Sequence, residues 1–180
     1  MVLQSNTIQL ASTGSPECRR PLVQSDFTIR FLVKFADVNR STNDREDDCM
    51  KTFPNTPVMI VDDMKLARLR LRKICEAMAF NPIWEAGSGK EAWDLIQKKT
   101  AAPVLILSDY NMPEMNGMEF LEKVRNNPDT EDTPVVFITS EGEREKIVAA
   151  VSMGVTAYVV KPFSDEVMAD KIQYVMGKVK

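Results

Sequence analysis

The feature that most restricts what this chain can fold into is an alternation, repeated five times after Pro57, of short apolar runs with helical patterns. Val58 to Val61 is apolar without a break, which suits a strand covered on both faces. Met64, Ala67, Leu71, Ile74, Cys75 and Met78 then recur at helical spacing. Asn81-Pro82 interrupts that pattern, and Ile83 to Ala86 can form a second strand. Gly87-Ser88-Gly89 makes a turn, with Ser88 placed to cap a helix running to about Lys99. Pro103 to Leu107 reads as a third strand leading into Ser108 and Asp109. After a loop from Tyr110 to Gly117 comes a helix with Met118, Leu121 and Val124 on one side, closed by Asn126, Asn127 and Pro128. Pro134 to Ile138 reads as a fourth strand ending in Thr139 and Ser140, and a helix from Arg144 to Met153 stops at Gly154. Tyr158 to Val160 is the fifth strand, ending in Lys161-Pro162. Ser164 can cap a last helix whose positive first turn carries Asp165 and Glu166.

Alternation of this kind predicts an α/β fold: a five-stranded parallel sheet, doubly wound, with right-handed crossovers and helices on both faces. Ligands of such sheets bind beyond the carboxyl ends of the strands. Polar residues stand at those ends in this chain. Asp62 and Asp63 follow the first strand, Asp109 the third, Thr139 and Ser140 the fourth, and Lys161 the fifth. Any one of them has an ordinary explanation, since Asp often caps a helix and Lys161 alone suits a surface. Their occurrence together points to one site. Three adjacent carboxylates repel one another and call for a cation. With only oxygen ligands on offer, magnesium fits best. Asp109 can then act as a carboxylate nucleophile toward phosphorus, with Lys161 and the Thr139 hydroxyl holding phosphoryl oxygens.

These segments resemble a known family. Asp62-Asp63, the run from Leu105 through Asp109 to Pro113 and Gly117, then Phe137-Ile138-Thr139-Ser140 and Lys161-Pro162-Phe163 are similar to the receiver domain of two-component response regulators. Chemotaxis regulators of the CheY type are similar in layout. The resemblance runs from about Pro57 onward and implies a (βα)5 flavodoxin-like fold. It implies that Asp109 is the phosphoacceptor, taking phosphate from a histidine kinase. It also implies that Asp63, Asp109 and the Asn111 carbonyl bind magnesium directly, with Asp62 acting chiefly through water. Thr139 and Tyr158 would form the switch pair, and the Lys161-Pro162 bond would be cis. Output would leave through the fourth helix, fifth strand and fifth helix. The nineteen residues after Lys161 suffice for one helix and for no output domain.

Several function classes fit poorly. A net charge of −3 gives no basic face for nucleic acid, and the local cluster Lys65, Arg68, Arg70, Arg72 and Lys73 reads as a solvated helix face. Histidine is absent, which removes His-based triads and weakens any zinc reading of the three cysteines. Cys75 reads as a buried hydrophobe in a reducing compartment, and no apolar run approaches membrane-spanning length, so the expected location is the cytoplasm. A phosphatase of the haloacid-dehalogenase type needs a second carboxylate two residues after the first, where Asn111 stands. A binding module that has lost phosphorylation would not keep the full acidic set and Lys161. The protein is therefore expected to catalyse only its own phosphorylation and dephosphorylation. A relay intermediate, passing phosphate on to a histidine of another protein, is the second reading.

Residues 1–54 differ from the rest. They are rich in polar residues and end near the charged run Ser41 to Asp48, which predicts a largely disordered extension before a receiver at 55–180. The alternating Phe27, Ile29, Phe31, Val33 and Phe35 allow a strand that joins a sheet edge, and Met50 offers a later start of translation. Asn111 and Glu141 match the CheY-type pair that governs how long the phosphoryl group survives. A short-lived signal is expected, and a purified phosphoprotein that held its phosphate for hours would contradict it.

Overall fold

The computed structural model describes residues 51–99, 101–140 and 144–178. The readings for residues 1–50, and for Glu141, lie outside the described residues. Strands and helices alternate as β1 (Val58–Val61), α1 (Lys65–Ala77), β2 (Ile83–Ala86), α2 (Gly89–Lys98), β3 (Leu105–Asp109), α3 (Gly117–Arg125), β4 (Val135–Ser140), α4 (Arg144–Ser152), β5 (Ala157–Lys161) and α5 (Asp165–Met176). The five strands form one parallel sheet in the order β2-β1-β3-β4-β5.

Alternate side chains of a strand point to opposite faces, so a strand covered on both sides must be apolar throughout. β1 meets this requirement at every residue, and β3 meets it from Leu105 to Leu107 before ending in the buried Ser108 and Asp109. One face of the sheet packs Met59, Val61, Ile106, Val135 and Phe137 against Ala92 and Ile96 of α2, Phe120, Leu121 and Val124 of α3, and Ala150 of α4. α1 and α5 touch each other and lie along the opposite face, where they bury Leu71, Ile74, Cys75, Met168, Ile172 and Val175. Placing helices on both faces leaves the strand ends as the open edge.

The helix starts are fixed by local chemistry. Ser88 accepts a hydrogen bond from the Glu91 amide (3.2 Å), and Ser164 accepts one from the Val167 amide (3.3 Å). Asn116 and Glu119 form a reciprocal capping box, each side chain accepting from the other's amide at 3.0 Å. α4 gives way to Gly154 at φ +89°, a conformation that suits glycine. Lys161-Pro162 is cis, and so is Asn81-Pro82.

Two details of the helical patterns need correcting. Met64 stands at the start of α1 and is 59% exposed, because the residue before a helix does not share the helix's buried face. In α3 the fully buried residues are Phe120, Leu121 and Val124, while Met118 is only half-buried at the margin of that face.

Cys75 lies within the α1 core, where burial pushes its thiol up to about 12. The thiolate is the reactive form, so at pH 8 only about one part in ten thousand is available. Iodoacetamide at pH 8 should leave the Cys75 peptide of the folded protein unmodified and label it fully in urea, as read by peptide mass mapping. Rapid labelling of the native protein would show that α1 is not packed this way.

Candidate functional site

The parallel register brings the polar strand ends to one height. Val61 pairs with Ser108, so Asp62 stands level with Asp109 on the neighbouring strand. Asp109 in turn pairs with Ile138, which puts Thr139 one step beyond it on β4, and Ser140 pairs with Lys161. Carboxylate oxygens of Asp62, Asp63 and Asp109 all lie within 4.8 Å of one another. Asp62 is fully buried, Asp109 is 8% exposed, and Asp63 faces solvent.

The Lys161 ammonium joins two of these acids, donating to Asp62 Oδ2 and to Asp109 Oδ1 at 3.1 Å each. Burial raises the pKa of Asp109. Lys161 pulls it down, and the neighbouring Asp62 pushes it up again, leaving it above the ordinary carboxylate range. Burial works against the charge on Lys161, yet Asp109 and Asp62 together outweigh it, so the ammonium is held more firmly than usual. The pair is therefore a lysine shared by two acids, with more negative charge than it can neutralise.

The turn that carries Asp62 and Asp63 is fixed from several sides. Asp62 Oδ1 accepts from the Met64 amide (2.8 Å), and the Asp62 amide donates to the Ala86 carbonyl (3.2 Å). Arg68, one turn into α1, donates through Nη1 to the carbonyls of Asp62 (2.7 Å) and Asp63 (3.3 Å). The loop after Lys161 is held by Arg70, which donates to the Phe163 carbonyl and to Asp165 at 2.7 Å and lies 4.8 Å from the Phe163 ring. The cluster on α1 is a largely solvated face, as expected, with the Arg70 side chain 46% and that of Arg72 42% exposed, and from it the arginines also reach loops and carboxylates. Spacing shows which side of a helix a residue occupies, but not where the end of a long side chain goes.

Beyond Asp109 the loop closes on itself. The Gly117 amide donates to the Tyr110 carbonyl (2.9 Å), and Tyr110 packs edge-on against Phe137 with ring centroids 5.7 Å apart. Asn111 is exposed on this loop. Thr139 is buried at the end of β4, where its hydroxyl donates to the Ser140 carbonyl (3.4 Å). Tyr158 lies on β5 opposite Phe137, half-buried against the core. The structure therefore gathers Asp62, Asp63 and Asp109 within 4.8 Å and puts Lys161 in contact with Asp62 and Asp109. Thr139 stands at the adjoining strand end, Asn111 on the loop, and Tyr158 further back along β5.

The acidic set suits a hard divalent cation. It offers carboxylate oxygens alone, and the exposed Asp63 opens it to the water that magnesium retains. No helix among the described residues is long and apolar enough to cross a membrane.

Comparison with known proteins agrees with this geometry. The family model for the response regulator receiver domain matches residues 58–173. A chemotaxis protein CheY homolog of Campylobacter jejuni is 38% identical over 120 residues, covering 67% of this chain and 92% of the relative. The chemotaxis protein CheY1 of Helicobacter pylori is 34% identical over 120 residues, covering 67% and 96%. Among solved structures, the chemotaxis response regulator CheY4 of Vibrio cholerae superimposes with a TM-score of 0.62 at 31% identity, covering 67% of this chain and 98% of that one.

A Cβ on Gly117 would sit 2.8 Å from the Asp109 carbonyl oxygen and 3.1 Å from Tyr110 Cα, both backbone atoms. Gly117→Ala should therefore cost about 1–3 kcal/mol, the usual range for overpacking, measured as a lower urea midpoint. An unchanged midpoint would mean that the loop does not close on Asp109 as described.

Proposed function

This chain belongs to the response regulator receiver family, and from that premise we propose that Asp109 accepts a phosphoryl group with magnesium and that the protein serves a chemotaxis-type pathway. The observation that carries the reading is the acidic triad at the sheet edge, with Lys161 bridging Asp62 and Asp109. A receiver implies a histidine kinase as donor and a downstream target.

Asp63, Asp109 and the Asn111 carbonyl would hold the ion, with Asp62 acting chiefly through water. Bound there, magnesium supplies positive charge against both the crowded carboxylates and the incoming phosphoryl oxygens. A carboxylate oxygen of Asp109 attacks phosphorus in line. The new O–P bond forms as the donor's N–P bond breaks, and the imidazole leaves with its electron pair and takes up a proton. Lys161 is already within reach of Asp109 and follows the charge onto a phosphoryl oxygen. The Thr139 hydroxyl exchanges its contact with the Ser140 carbonyl for a second phosphoryl oxygen.

Thr139 and Tyr158 would then act as the switch, because withdrawing Thr139 toward the phosphate frees space beside the β5 aromatic. The surface that reports the change is the face of α4, β5 and α5. It exposes Val148 on α4, Met153 just after it, and Val167 and Tyr174 on α5, apolar side chains that a protein partner can cover. A modest bias between two conformations suffices if the partner prefers one of them.

Incubation with acetyl phosphate and magnesium should add a phosphoryl group to the wild-type protein. Asp109→Asn should take up none, and chelation by EDTA should abolish the wild-type reaction, as read by intact-protein mass. A wild type that gained no phosphate under these conditions would remove the reading.

A further inference from the structure

We infer that Arg68 is a positioning residue for the magnesium site: its guanidinium fixes the backbone that carries Asp62 and Asp63. This rests on the magnesium reading above and deepens it. The residue touches neither the acid side chains nor the place where phosphate would sit. It instead grips the two carbonyls of the acid-bearing turn, at 2.7 Å from Asp62 and 3.3 Å from Asp63. Those carbonyls lie between the end of β1 and the start of α1, outside the hydrogen bonds of either element.

The guanidinium is itself anchored. Its Nε lies 3.7 Å from Glu85 Oε2 on β2, and the other Glu85 oxygen accepts from Arg72 Nη1 at 2.5 Å. Arg72 Nε in turn donates to Glu76 at 2.8 Å. A chain of ionic contacts thus runs from α1 across the edge strand β2 to the turn. The Arg68 side chain is 20% exposed and that of Glu85 27%, so the anchor is only partly screened by water.

Position matters here because Asp63 is the exposed member of the triad. Asp62 is locked by burial, by Lys161 and by the Met64 amide. Asp63 relies on its backbone to hold its carboxylate near Asp109. Magnesium demands near-ideal octahedral geometry, so a ligand allowed to wander loses affinity.

The sign of the effect separates this role from a purely electrostatic one. A guanidinium beside three carboxylates competes with a cation for their charge, so a role through charge alone predicts tighter magnesium binding when Arg68 is removed. A positioning role predicts weaker binding. It also predicts that lysine fails to substitute, because a single ammonium lacks the fork that meets the carbonyls through Nη1 and Glu85 through Nε.

The test is calorimetric titration of magnesium into the full-length wild type, Arg68→Lys, Arg68→Met and Glu85→Gln. The half-saturating magnesium for acetyl phosphate labelling is read alongside, and thermal unfolding in EDTA reports folding. Both arginine variants should bind magnesium about tenfold more weakly, the usual cost of losing an outer-shell support. Glu85→Gln should shift in the same direction by less, and it decides the matter if the arginine variants do not fold. Unchanged or tighter binding in the folded variants overturns the inference while leaving the site intact. A wild type that binds no magnesium would instead remove the site on which the inference rests.

Discussion

Three carboxylates gathered within 4.8 Å of one another repel, and the ordering of this sheet edge turns on how that repulsion is met. Lys161 answers part of it by donating to Asp62 and Asp109 together. One ammonium does not balance three acids, and Asp62 adds to the burial that already raises the pKa of Asp109. The surplus of negative charge favours a divalent cation, and it keeps Lys161 protonated despite burial. Every other device near the site, from the Arg68 contacts to the closed Asp109 loop, holds in place groups that would otherwise move apart.

The architecture was largely legible in the residues because burial on both faces leaves no room for alternation. Val58 to Val61 and Leu105 to Leu107 are apolar at every position, and the polar residues that follow them mark where each strand leaves the core. Ser88, Gly154 and Ser164 punctuate the helices as their chemistry requires. Strand order then does what no single motif does. Asp62 and Asp109 are far apart in the chain, and only the pairing of β1 with β3 makes them neighbours.

Other features were harder to read. Arg68 and Arg70 look like exposed charges when only the periodicity of α1 is considered. Besides their carboxylate partners Glu85 and Asp165 they donate to carbonyls, and backbone atoms carry no signature in a sequence. The Asn116–Glu119 capping box does have a sequence signal, an Asn followed three residues later by Glu. It was overshadowed by the loop pattern around it. Arg125 gave no signal either. Its pKa is lowered by burial, and it donates to the carbonyls of Glu131, Thr133 and Gly154, holding together the loops that precede β4 and β5.

Because all the strands run the same way, each helix begins at the edge with the acids and ends at the opposite one. The molecule is therefore polar from end to end in its backbone as well as its side chains. Amide groups at the helix starts lend partial positive charge to the acidic edge, while the far edge gathers carbonyl oxygens. Arg125 sits at that far edge as the cation those carbonyls attract, and Lys161 is its counterpart among the carboxylates. A charge added to one edge of this protein meets surroundings of the opposite character at the other.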